Sequence, residues 1–118
     1  MEYQVVETVN GKYVDCKGVI RNEQDALDLV AACGENETNR LMLCAENLTE
    51  DFYRLSTGLA GAVLQKFVDY FVKAAAILPS ELAGRGRFGE MVLESNLGNQ
   101  FRVFASRDEA ERWLTGSP

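Results

Sequence analysis

At 118 residues, with 47% hydrophobic and 25% charged side chains, the chain has the size and composition of one soluble globular domain, residues 1–118. Its 18 acidic against 12 basic residues give a net charge of −6, which argues against nucleic acid as a main partner because a phosphate backbone is bound by clustered Lys and Arg. Histidine is absent, which removes Ser-His-Asp and Cys-His nucleophile pairs in their usual form and His-ligated zinc.

No apolar run approaches the roughly 20 residues that span a bilayer. The N-terminal Met1-Glu2-Tyr3-Gln4 has neither the basic start nor the apolar stretch of a signal peptide. Cys16, Cys33 and Cys44 are widely separated, form no Cys-x-x-Cys pair and sit among apolar neighbours. They read as buried thiols in a reducing compartment. The expectation is a cytoplasmic protein with no membrane partner, no metal and no cofactor.

In chain order, Tyr3 to Val9 and Lys12 to Cys16 each alternate apolar and polar residues around Asn10-Gly11. This predicts a hairpin, with Asn10 and Gly11 at the positive φ angles of a type I′ turn and Val19-Ile20 extending the second strand. Asn22 caps a first helix with apolar positions Ala26, Leu27, Leu29, Val30 and Cys33, and Gly34 is its expected stop. After a polar loop, Leu41 to Cys44 reads as a strand covered on both faces. Thr49 to Leu55 fits a helical turn or a loop.

From Gly58 a second main helix is predicted to run to Val72. Leu59, Val63, Phe67 and Phe71 form its stripe, widened by Ala60, Leu64 and Val68. Ala74 to Leu78 follows as a strand that Pro79 ends. Phe88 to Glu94 predicts a helix closing at Asn96-Leu97-Gly98, with Asn96 or Gly98 left-handed. Gln100 to Phe104 alternates as a strand. Ser106-Arg107-Asp108-Glu109 is a capping box opening a last helix, with Ala110, Trp113 and Leu114 inside. The order ββαβαβαβα implies an α/β fold: a mixed sheet with parallel crossovers and helices packed on it.

Two stretches carry a family resemblance. Ser56-Thr57-Gly58-Leu59 resembles the Ser-Ser/Thr-Gly-Leu start of the second helix in STAS domains of bacterial anti-sigma-factor antagonists. Leu93-Glu94-x-x-x-Gly98 and Phe101-x-Val103-Phe104-x-Ser106-x-x-Glu109-Ala110-x-x-x-Leu114 resemble their C-terminal third. Nearly the whole chain is similar to the bacterial family catalogued as domain of unknown function 4180. That similarity rests on Asp25-Ala26-Leu27-Asp28-Leu29, Thr57-Gly58-Leu59-Ala60-Gly61, Gln65-Lys66-Phe67, Tyr70, Glu94-Ser95-Asn96-x-Gly98 and Trp113-Leu114. It implies a STAS-like fold and no assigned activity. Leu55 stands where STAS domains usually place Asp.

The STAS resemblance implies that Thr57, with Ser56 beside it, accepts phosphate from a partner kinase. Unpaired N–H groups and the positive end of a helix favour such a dianion. The simpler reading makes Thr57 a helix cap and Gly58 a packing residue. Gln65, Lys66, Tyr70, Glu94 and Asn96 offer either a pocket, with a Lys or Glu base and a Tyr acid, or a solvated face and a helix terminus. Asp25 and Asp28 complement a helix dipole more readily than they hold a metal. Gly84-Arg85-Gly86-Arg87 is a short basic loop, read as solvated.

The expected function is a non-catalytic regulatory or protein-interaction module. Its protein partner, unknown from sequence, would dock at the start of the second helix under a phosphorylation switch. The alternative is a small-molecule-binding protein or small enzyme with a pocket near Lys66, Tyr70 and Glu94. Self-association into a homo-oligomer through Val5, Val14 and Phe71 is a third reading.

Overall fold

The computed structural model describes residues 1–116. The hairpin forms from β1 (Tyr3–Thr8) and β2 (Gly11–Cys16), with Thr8 opposite Gly11. Its turn therefore falls on Val9 and Asn10, one residue earlier than expected, and neither has a positive φ. Thr8 explains the shift: its Oγ1 donates to Gly11 O (2.7 Å) and accepts from Asn10 N (3.1 Å), closing the turn early. Ile20 does not extend β2; it makes an isolated parallel bridge to Leu48.

Helix α1 (Glu23–Glu35) starts as its sequence dictates, with Asn22 Oδ1 accepting from Asp25 N at 2.9 Å. Strand β3 (Arg40–Cys44) follows, then a short 3-10 turn, the one-turn helix α2 (Glu50–Tyr53), a second 3-10 turn over Leu55–Thr57, and helix α3 (Leu59–Asp69). Strand β4 (Lys73–Ile77), a one-turn helix α4 (Ser80–Ala83), helix α5 (Gly86–Ser95), strand β5 (Phe101–Phe104) and helix α6 (Arg107–Thr115) complete the chain. The short α2 takes the helical-turn alternative for Thr49 to Leu55, and α4 is an addition to the expected order.

Helix ends are where the expectations fail. Gly34 lies inside α1, which ends in a paired bond set: Glu37 N to Gly34 O (3.2 Å) and Thr38 N to Cys33 O (3.0 Å). This Schellman closure puts Glu37, not Gly34, in the left-handed position, at φ 55°. Helix α3 ends the same way at Asp69, short of Val72, through Phe71 N to Val68 O (3.2 Å) and Val72 N to Phe67 O (2.8 Å). Phe71 takes the left-handed position (φ 60°) and its ring is 81% exposed, so it leaves the apolar stripe and Val72 enters the core instead. At the end of α5, Asn96 is right-handed (φ −69°) and Gly98 has no positive φ. Asn96 is used differently: its amide pairs with both backbone groups of Val103 on β5.

The five strands lie in the order β1-β2-β3-β4-β5, antiparallel for the first pair and parallel thereafter. Each parallel step moves to the next strand in the same direction. Right-handed crossovers then place every connecting helix on one face of the sheet. That face carries Val14, Leu41, Ala74 and Phe101 in register, and α1, α3 and α5 bury it together with Phe52, Val63 and Phe88. The opposite face carries Asp15, Met42, Ala75 and Arg102 in register and is covered by α6 alone, through Ala110 and Leu114. Ala74-Ala75-Ala76 keeps the middle of the sheet low, letting helices approach from both sides. Val14 is fully buried, so it cannot serve the self-association surface expected with Val5 and Phe71.

Candidate functional site

The start of α3 and the start of α5 follow neighbouring strands, β3 and β4, so both lie at the carboxyl ends of the parallel strands. Ligand sites of open α/β sheets lie at that edge. Here the chain leaves a cleft of about 260 Å³ between Tyr53–Ser56 and Arg85–Phe88. Its floor is rigid. Phe52, Tyr53 and Phe88 stack edge to face at 5.2–6.0 Å, and Tyr53 Oη donates to Ala45 O at 3.0 Å. Burial pushes the Tyr53 phenol up to about 12, so it stays neutral around pH 7.

The rim is cationic. Arg54, Arg85 and Arg87 all line the cleft, in a chain whose net charge is −6. Glu50 pairs with two of them: Arg85 Nη1 lies 2.6 Å and Arg54 Nε 3.8 Å from its Oε2. Arg85 also lies 5.9 Å from the Tyr53 ring centroid. The Arg85–Phe88 wall is fixed by a close backbone crossing: a Cβ on Gly89 would lie 2.6 Å from the Gly84 backbone. The basic loop read as solvated thus faces Ser56, one of the predicted hydroxyl pair, across one cleft. Sequence gave no measure of that proximity, because more than 25 positions separate Ser56 from the loop.

Ser56 lines the cleft and is exposed, and its hydroxyl meets no hydrogen-bond partner among the described residues. Thr57 is exposed but engaged. Its Oγ1 donates to Asp51 O at 2.5 Å, with Arg54 O at 2.9 Å, and accepts from Leu59 N at 3.2 Å. Gly58 is left-handed (φ 82°) between the 3-10 turn and α3, a turn that a side chain would strain.

The residues expected around a second pocket are spread out. Gln65 Nε2 donates to Asp69 Oδ1 at 2.8 Å, Lys66 is half-buried, and Tyr70 is 55% exposed at the end of α3. Glu94 is exposed on α5, and Asn96 is bound to β5. None of these five lines the arginine cleft or two further surface hollows, one beside Phe71 and one beside Gly11.

A second polar cluster lies under α6. Asp15 is 4% exposed, and its Oδ2 pairs with Lys17 Nζ (3.2 Å) and Arg107 Nη1 (3.4 Å). Arg107 Nη2 reaches Cys44 Sγ at 3.4 Å, and Tyr13 Oη donates to Glu111 Oε1 at 2.6 Å. These contacts fasten α6 to β2 and β3. They do not activate a nucleophile: burial raises Cys44 against the pull of Arg107, and raises Cys16 and Cys33 to about 11. Among the described residues, no group of three or more His, Cys, Asp or Glu could hold a metal ion, and no helix is long and apolar enough to cross a membrane.

The molecule is therefore a mixed α/β domain with a small cationic cleft at the carboxyl edge of its sheet. It belongs to the family described as domain of unknown function (DUF4180), whose sequence model matches residues 10–114. Comparison with curated proteins and with solved structures found no match.

Proposed function

We propose that this protein is a non-catalytic regulatory module that docks an anionic group of a partner protein in the cleft between Ser56 and Arg87. The observation that carries this reading is the convergence of Arg54, Arg85 and Arg87 on one cleft of an acidic protein. Guanidinium groups bind carboxylate or phosphate through charge-assisted, often paired hydrogen bonds. The size of the cleft supports the reading. At about 260 Å³ the cleft is below the roughly 300–1,000 Å³ of small-molecule pockets, which favours one anionic group presented by a larger surface over a free ligand.

The same cleft gives the phosphorylation switch a physical form. The STAS resemblance points to the hydroxyl-bearing start of the second main helix. Ser56 has the free hydroxyl there, whereas Thr57 would first have to give up its bonds to Asp51 and Leu59. A phosphate on Ser56 adds about −1.5 to −2 charges beside the arginines. It would occupy the cleft in place of the partner's anion.

The test is titration of O-phosphoserine into isotope-labelled protein, followed by amide shifts. Perturbations should centre on Ser56 and Arg85–Phe88. Arg87→Ala should weaken binding about fivefold, a loss of roughly 1 kcal/mol for an exposed charged contact, and Ser56→Glu should weaken it as well. Shifts scattered over the surface, or unchanged affinity in Arg87→Ala, would remove the cleft from the account.

A further inference from the structure

Two of the three arginines at the cleft already hold a carboxylate of the chain's own. Glu50, on α2, places Oε2 at 2.6 Å from Arg85 Nη1 and 3.8 Å from Arg54 Nε. Its side chain is 59% exposed, so this is a surface pairing that another anion can replace. Arg87 has no such partner among the described residues. Three guanidinium groups against one carboxylate leave two positive charges at the cleft unbalanced. The start of α5 adds to them. Gly86, Arg87 and Phe88 line the cleft as the first residues of that helix, and their N–H groups meet no acceptor among the described residues. The positive end of a helix attracts a dianion about twice as strongly as a monoanion.

An acidic side chain of a partner offers this cleft little. It brings one charge and two oxygens in a plane, and it repeats for Arg85 what Glu50 already supplies. A phosphomonoester brings about −1.5 to −2 charges and three acceptor oxygens in a tetrahedral array. It can meet guanidinium groups from both walls, Arg54 on one and Arg85 and Arg87 on the other, and it matches the unbalanced charge. Resting on the docking reading above, we infer that the anionic group taken by the cleft is the phosphate of a phosphorylated side chain on the partner, and that Glu50 bars unmodified acidic side chains. Glu50 is thus a specificity-determining residue: by holding Arg85 and Arg54, it raises the charge that an occupant must bring.

The experiment titrates O-phosphoserine and L-glutamate in parallel into isotope-labelled protein, wild type and Glu50→Gln. The two ligands share their amino and carboxyl groups and differ chiefly in the side-chain anion. With the wild type, O-phosphoserine should shift the amides of Ser56 and Arg85–Phe88 and bind roughly tenfold or more tighter than glutamate. Glu50→Gln should tighten both ligands about two- to fivefold, the range of one exposed ion pair, and bring glutamate binding into view. Equal affinity of the wild type for both ligands overturns the inference, and that comparison decides even if the variant fails to fold. So does a folded Glu50→Gln that binds no tighter, which would make Glu50 the residue that positions Arg85. In both of those outcomes the shifts still map to the cleft and the docking reading stands. Absence of cleft shifts with either ligand and either protein removes the docking reading, and the inference with it.

Discussion

The two faces of the sheet hold together by different means. The face under α1, α3 and α5 is continuous apolar packing, with Phe52, Leu41, Val63 and Phe88 at 0–1% exposure. The face under α6 has a small apolar patch of Tyr13, Met42, Ala75, Ala110 and Leu114, bordered by charge. Asp15, Lys17 and Arg107 fix one end of α6. At the other end Lys73 Nζ donates to Trp113 O at 3.1 Å and lies 4.3 Å from the Trp113 ring centroid, with Arg102 at 5.4 Å. The difference follows from topology: same-handed crossovers commit three helices to one face and leave a single C-terminal helix for the other. Polar side chains on the second face survive because one helix leaves room for water and ion pairs at its flanks.

The sharpest break of this contrast is Phe52→Ala on the three-helix face. It should cost about 3–5 kcal/mol and unfold the molecule as one unit, because a cavity there borders Tyr53 and Phe88. Urea melts read by fluorescence and circular dichroism should shift together. Leu114→Ala on the one-helix face should cost less, about 2–3 kcal/mol at the low end of the Leu→Ala range. Amide exchange should show α6 opening locally while α1 and α3 keep their protection.

Alkali should weaken both faces in sequence. Burial raises Cys16 and Cys33 from 9.0 to about 11, and burial raises Tyr13, aided by Glu111, and Tyr53 from 10.0 to about 12. Each group holds its proton more tightly folded than unfolded. The resulting stability is present in full below about pH 9 and is lost as pH rises from about 9 to about 12. Tyr13→Phe should flatten the upper part of that decline, measured by urea midpoints across the range; an unchanged slope would deny Tyr13 its share.

The smallest effect sharpens the contrast in helix ends. α6 closes on a glycine, Gly116 at φ 71°, whereas α3 places Phe71 in the same left-handed state. Phe71→Gly should therefore raise stability by about 1 kcal/mol, since a side chain there costs roughly that much. Thermal melting checks it. A loss of stability would mean that the exposed Phe71 ring makes contacts that offset its strain.

Local chemistry was legible wherever neighbours in sequence decide it. Asn22 before an apolar-faced run gave the start of α1, Ser106 with Glu109 the start of α6, and alternation around Asn10-Gly11 the hairpin. Periodicity located the strands and the main helices because burial on one side repeats every 2 or 3.6 residues. The matched family followed from patterns spread along the chain.

Only the tertiary structure decided how those parts finish and meet. Periodicity assigned Phe71 to the buried stripe of α3, but the turn into β4 needs a reversed residue there and leaves the core position to Val72. Asn96 ends α5 as its sequence suggested, but right-handed, and its side chain also closes the β5 edge, a role set by a strand seven residues away. Arg85, Arg87 and Ser56 lie in separate crossovers, and their shared cleft exists because β3 and β4 are neighbours in the sheet. Sequence spacing carries the physics of hydrogen bonds and faces within one element. The distance between elements is fixed by the packing of the whole sheet.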